Sequence, residues 1–305
     1  MITRSQAISL LEPKLSNIWH EAYPARPVEY TSFVNIRETK KRTLTDFKLS
    51  DFGPLRLKGE GESLIYDDPL FGAEQPYTPV RFALGYKITQ ETIDHELYGQ
   101  VDKFERALIV SAINLQETAA ARLINNGFGT TDADGFEATG FDALQLFSTA
   151  HTRLDGGAVL RNRPSADVDL GVTGLQNALV DWHTQNLDDR GRPQLIRPKL
   201  IIVNPQDMFT ARELLQSEFK PGTANNEVNA LREEGLSFMV SHYIGSDADQ
   251  WVLLGDQHDL NFVWDVRPRG GMEEDFDAEV IKRKVVEGFA VGHGEWRGTW
   301  ASSGG

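Results

Sequence analysis

One apolar pattern, running from Glu91 to about Asn126, limits what this chain can become. Ile93, Leu97, Val101, Phe104, Leu108, Ala112, Leu115, Ala119 and Leu123 follow one another at three- or four-residue steps, the spacing of one face of an α-helix. A helix over that stretch is about 50 Å long at roughly 1.5 Å per residue, well beyond the average helix of a globular protein. Its apolar face has to be covered along its whole length. No strict heptad is sustained and Gly99 interrupts the stripe, so the pattern favours a helix laid across a sheet over a coiled coil. The segment "NNGFG" that follows supplies the stop.

The flanking segments predict the partners of that helix. Thr3 and Gln6 fit a capping box, and Leu10, Leu11, Leu15, Ile18 and Trp19 recur at helical spacing, so a first helix is expected to end before "YPARP". Residues 25–90 break into short alternating pieces such as "FKLSDF", "LRLKG" and "VRFALGYKI", separated by turns. They read as an extended arm and a long hairpin. Beyond a Gly/Asp-rich link, the chain turns α/β. Thr173 and Gln176 suggest a second capping box ahead of Leu175, Leu179 and Trp182. "PKLIIVN" reads as a buried strand, and "NPQDMFTARELLQ" as a helix capped by Asn204 with Pro205 in its first turn. "LSFMVSHYI" and "QWVLLGD" read as strands, and "NFVWDVRP", "EVIKRKVVEGFAVG" and "EWRGTW" as an antiparallel run. The fold class is therefore α+β.

Composition narrows the function. The 305 residues suffice for one large or two moderate domains, and the absence of cysteine removes disulfides, thiolate metal sites and cysteine nucleophiles together. No apolar run approaches bilayer length and no signal segment opens the chain, so no membrane partner is expected. A formal net charge of −14 argues against a protein whose main work is gripping nucleic acid. The charge is uneven: residues 37–58 hold seven Lys or Arg against three Asp or Glu, leaving that segment at +4 and the remainder at −18. A basic arm on an acidic body can dock on a neighbour's acidic surface, although charge runs are usually solvated faces.

Catalytic motifs are weak. Ser148 stands three residues before His151 in "LFSTAHTRLDGG", but lacks the glycine-flanked turn a serine nucleophile needs. The expected role of His151 is a structural corner, with Asp155, Gly156 and Gly157 making the bend; an α/β hydrolase using Ser148 and His151 is the alternative of another class. "TTDADGFEATGFD" misplaces the glycine of a calcium loop and has Ala143 where the final glutamate belongs. No histidine spacing gathers a metal. Neither cofactor, metal nor enzymatic activity is expected.

The order of elements, with "ALQLFSTAHTRLDGG", "RPKLIIVNPQDMFTARELLQS", "GTANNEVN", "DQWVLLGD" and the closing "VEGFAVGHGEWRGTW", resembles a tailed-phage major capsid protein of the Hong Kong 97-like fold, nearest to the Mu-type major head subunit. The resemblance spans nearly the whole chain. It implies an N-terminal arm over 1–38, an E-loop over 39–86, and a P-domain over 87–169 with its spine helix at 91–126. An A-domain over 170–249 and P-domain return strands over 250–305 complete the family's plan. It also implies self-assembly through pentamers and hexamers into an icosahedral virion shell enclosing phage double-stranded DNA as non-specific content, assembled in the bacterial host cytoplasm. Portal and scaffolding proteins are implied partners; because the chain starts almost directly with the arm, the scaffold is expected to be a separate protein or none. Lys40, Lys41, Arg42, Lys48, Arg56 and Lys58 are the expected inter-subunit contacts of arm and E-loop, and Asn225 and Asn226 the expected capsomer-axis loop. The alternative within the same fold is an encapsulin-type compartment.

Overall fold

The computed structural model of the chain describes residues 4–89, 91–92, 98–130, 135–219, 228–245, 249–275 and 280–305. Helix α1 (Arg4–Ala25) leads through a 3-10 turn at Tyr30–Ser32 to strands β1 (Asn35–Glu38), β2 (Leu44–Leu49), β3 (Phe71–Tyr77) and β4 (Val80–Thr89). Helix α2 (Tyr98–Asn125) follows, then α3 (Val172–Gln185), β5 (Pro198–Val203), α4 (Met208–Gln216), the short α5 (Ala230–Glu233) and β6 (Ser237–Val240). Strands β7 (Trp251–Gly255), β8 (Leu260–Asp275), β9 (Val280–His293) and β10 (Thr299–Ser302) close the chain.

The long helix does lie across a sheet. β8 and β9 form an extended antiparallel pair, flanked by β4 and by the parallel strand β1, in the order β1-β8-β9-β4. α2 packs on that sheet and on α1: Leu108, Ile109, Ala112 and Ile113 meet Trp19 and Val285, while Ala119, Ala120, Leu123 and Ile124 join a core of Phe147, Phe262, Trp264 and Phe289. Phe262 and Phe289 stack at 4.7 Å, and Trp264 meets Phe289 edge-on at 5.5 Å, arrangements that add to the burial of aromatic area. Of the apolar stripe, Ile93 and Leu97 lie outside the described residues. Contrary to the sequence reading, the stretch Gly99–Asn125 has the length and mean hydropathy, 1.2, to cross a bilayer, yet 61% of its most apolar window is buried inside the protein.

The second sheet runs β10-β7-β5-β6. Both of its faces are covered, which is why "PKLIIVN" is continuously apolar. Ile201, Val203, Trp251 and Leu253 face a core with Leu175, Leu179, Trp182 and Leu214, whereas Ile202, Val252 and Leu254 face the main core. The return-strand boundary therefore shifts: β7 and β10, expected beside β8 and β9, belong to the α/β sheet, because β7 is buried along its length between β5 and β10.

Local corrections have packing causes. α1 runs through Tyr23 and Pro24 to Ala25 instead of ending before them, because Tyr23 stacks on Trp19 and donates to Gln116 Oε1 at 3.0 Å; Thr3 lies outside the described residues. Gly171, not Thr173, caps α3, with no side-chain cap bond. Asn204 Oδ1 accepts from Gln206 and Asp207 N–H, forming an Asx turn ahead of α4, whose cap position is Asp207. Residues 80–86, read as hairpin, are the first part of β4 and pair with β9 from Val80↔Phe289 onward.

Candidate assembly surface

The corner after α2 is a closed hydrogen-bond node. His151 is fully buried, stacked on Trp296 with ring centroids 4.3 Å apart and planes 6° from parallel. Its Nδ1 lies 2.6 Å from Asp142 Oδ2 and its Nε2 3.0 Å from Asn162 Oδ1. The Asn162 amide is oriented by its other bonds: Nδ2 donates to Leu146 O and Thr299 Oγ1, and Oδ1 accepts from Ser148 N–H. Ser148 Oγ accepts from Ala150 N–H at 3.2 Å. Neither ring nitrogen is left for a substrate, and Ser148 is bonded to backbone instead of to the imidazole, so the pair is not a nucleophile with its base. Asp155 ties Arg153 and Gly157 N–H into the following turn, where Gly156 takes φ +70°.

Burial alone would raise the Asp142 carboxyl, but the bonds and charge from His151 and the Leu144 N–H outweigh it and hold Asp142 below the usual carboxylate range. A depressed folded value stabilises the protein above the unfolded value and ceases to do so as pH falls through the folded one. Asp142→Asn should therefore lower stability at neutral pH and flatten the acid limb below about pH 4, read from urea midpoints of both proteins across that range.

The second feature is the hairpin of β2 and β3. Leu44 pairs with Tyr77 and Phe47 with Glu74, and a register shift between Phe47 and Leu49 places Lys48 at a bulge. Bulges re-aim side chains, and this one turns Lys48 inward: its Nζ lies 3.0 Å from Glu295 Oε2 and 3.3 Å from Asp189 Oδ1. Arg297 bonds the same two carboxylates, at 2.9 and 3.2 Å. Lys48 thus forms its ion pairs within its own chain, inside the root of the hairpin. Above the root, Arg190 donates to the carbonyls of Asp51 and Asp68 at 2.9 and 2.8 Å, and Gly53 N–H donates to Asp67.

The tip, residues 50–70, carries no apolar core of its own. Leu55 and Leu57 are 103% and 98% exposed and Tyr66 is 88% exposed, with Phe47, Phe52, Leu64, Ile65 and Phe71 also open. Arg56 and Lys58 alternate with the two leucines and are exposed, as are Lys40, Lys41 and Arg42 in the link between β1 and β2. Among the described residues Lys40, Lys41, Arg42 and Lys58 make no ion pair within the chain. The structure gathers five of the six basic residues on the outside of the arm and hairpin; Asn225 and Asn226 lie outside the described residues. Charge counting passed over the apolar residues of the tip, although "PLRLKG" and "SLIYDD" display them.

The sequence model of the family described as phage capsid protein matches residues 72–302. No curated protein matches the chain. Among solved structures, the capsid of an empty GTA particle superposes with a TM-score of 0.56 at 10% identity, covering 90% of this chain and 91% of that one. The mature capsid of bacteriophage PhiM1 gives 0.55 at 12% identity over 90% and 86%. The holo-SrpI encapsulin complex of Synechococcus elongatus gives 0.52 at 10% identity over 90% and 86%. At such identities the likeness speaks for the fold alone.

Proposed function

Because this chain belongs to the phage capsid protein family, matched over residues 72–302, we propose that its projecting hairpin is the element that locks neighbouring copies into the shell. The chain is a major capsid protein of the Hong Kong 97-like fold, a structural protein whose copies form an icosahedral bacteriophage head. The finer assignments are our reading. The hairpin from Leu44 to Tyr77 acts as the E-loop, α2 with the β8–β9 sheet forms the P-domain, and the α/β unit around β5 forms the A-domain, whose loops meet at the capsomer axes, Asn225 and Asn226 among them. The Mu-type head subunit is the relative we favour, with a portal, a separate scaffold or none, and double-stranded DNA as content, assembled in the host cytoplasm.

The observation that carries this reading is the tip: a two-stranded ribbon cannot stand alone in water, and this one holds its apolar side chains outward while its root is fixed by Lys48 and Arg190. An apolar surface held out in this way fits burial against a second copy. Lys40, Lys41, Arg42, Arg56 and Lys58 add attraction to the acidic body of that copy.

Negative-stain electron microscopy with size exclusion on the purified chain, at low and high salt, tests the proposal. Rings or closed shells are expected, with assembly slowed at high salt because the basic residues steer the encounter. A monomer at every concentration and salt, also when coexpressed with its neighbouring genes, would defeat it. Protein cargo in place of DNA inside purified particles would favour the encapsulin-type reading.

A further inference from the structure

Two polar residues in the middle of α2, Gln116 and Glu117, are buried where an apolar helix face would be expected. Each reaches a different element. Glu117 accepts the backbone N–H groups of Glu29 and Tyr30. Gln116 donates from Nε2 to Glu287 Oε2 of β9 at 2.7 Å and accepts from the hydroxyl of Tyr23, on α1, at 3.0 Å. One amide therefore joins helix α1, helix α2 and the sheet.

Glu287 is unlike the other buried carboxylate at this interface. About three helical turns before Gln116 on α2, Glu105 is answered by Arg283; Glu287, four residues after Arg283, forms no ion pair among the described residues, and its neighbours Phe82, Leu108, Leu115 and Val285 are apolar, with Ser111 the one other polar side chain in the cavity lining. These residues and Glu287 line a cavity of about 210 Å³ between β4 and α2, a path by which water and protons reach the carboxyl. The facing charged and titratable groups are few. Tyr23 on α1 and Tyr30 in the 3-10 turn feel the Glu287 charge. Glu117 neighbours Gln116, Arg81 of β4 is bonded to Asp265, and Arg267 of β8 is bonded to Glu38.

We propose that Tyr23, Gln116 and Glu287 form a proton-operated clasp: with the carboxyl neutral, the chain of hydrogen bonds holds the end of α1 on α2, and ionisation of Glu287 releases it. The ionised oxygen accepts more strongly from Gln116 Nε2 than the neutral one, but burial outweighs that single donor. A carboxylate set among Phe82, Leu115 and Val285, with Ser111 the one other polar side chain of the lining, therefore has to draw in water or turn away. Either response takes the acceptor from Gln116 and, through it, loosens Tyr23. Burial pushes the Glu287 carboxyl up to about 7, so the clasp is complete below the ordinary glutamate value and lost as pH rises through about 7.

The test is hydrogen exchange on the full chain from about pH 5 to about pH 8, corrected for intrinsic exchange. In the wild type, protection of residues 15–25 should fall about tenfold or more as pH rises, and then level off; tenfold is one unit of differential protonation. Glu287→Gln, neutral and of the same shape, should abolish the dependence. Tyr23→Phe keeps the carboxyl but removes the link, and should lower protection of α1 at acid pH without lowering that of β9. His20, exposed on α1, is the same in wild type and both variants, so the comparison isolates Glu287 and Tyr23. Equal pH dependence in wild type and Glu287→Gln, or unchanged protection of α1 in Tyr23→Phe, would overturn the clasp.

Discussion

Replacing Arg283 by Met is expected to destabilise the subunit by about 3–5 kcal/mol, the range for removing one member of a buried ion pair. The guanidinium lies between β9 and α2, with Nη2 2.8 Å from Glu105 Oε1 and Nε 3.2 Å from the same oxygen. Glu105 has no solvent exposure, and its other oxygen accepts from Tyr86 at 2.9 Å. Burial, then the charge of Glu105, push the Tyr86 hydroxyl up, so Tyr86 stays a neutral donor and supplies no countercharge to Glu105. The sheet is shaped around the arginine: a Cβ at Gly270 would collide with its guanidinium, and one at Gly85 would come within 2.5 Å of its carbonyl. Glycine in a strand costs stability unless something approaches that closely. The double variant Glu105→Leu, Arg283→Met removes both charges and should recover most of the loss. A single-variant cost below about 1 kcal/mol in urea unfolding would mean the pair behaves as an exposed one.

The long helix, the strand run and the α+β class were legible because each rests on a local period. What was not legible rests on contacts between distant segments. "VRFALGYKI" alternates equally well as hairpin or as sheet edge, and only its pairing with β9 decides between them. Thr173 and Gln176 have capping-box spacing, yet Gly171 starts the helix. In the basic run, Lys48 looked like its neighbours; a bulge one residue wide sends it to Asp189 and Glu295, more than a hundred residues away. The same holds at the corner, where His151 was visible but its partners Asn162 and Trp296 could not be chosen from spacing. The exposed leucines of the tip had a local signal, since apolar residues between acidic turns with no core nearby are left for a partner.

That tip decides the second large effect. The triple variant Leu55→Ser, Leu57→Ser, Tyr66→Ser should yield a folded subunit that no longer closes into shells. All three side chains are open in the isolated chain, so their loss should leave thermal unfolding of the free subunit within the small range of surface substitutions. Burying one such side chain against a neighbour contributes roughly 1.5–3 kcal/mol, and a shell repeats the contact at every copy. The companion variant Arg56→Ser, Lys58→Ser removes two exposed charges worth roughly 0.2–1 kcal/mol each; it should slow assembly at low salt and leave the endpoint in place. Light scattering and electron microscopy of both variants, at matched concentration, separate the contributions. If the charge variant fails and the apolar variant assembles normally, neighbours are held by the basic arm. If both assemble like the wild type, the hairpin faces solvent in the shell and the copies are held together elsewhere on the subunit.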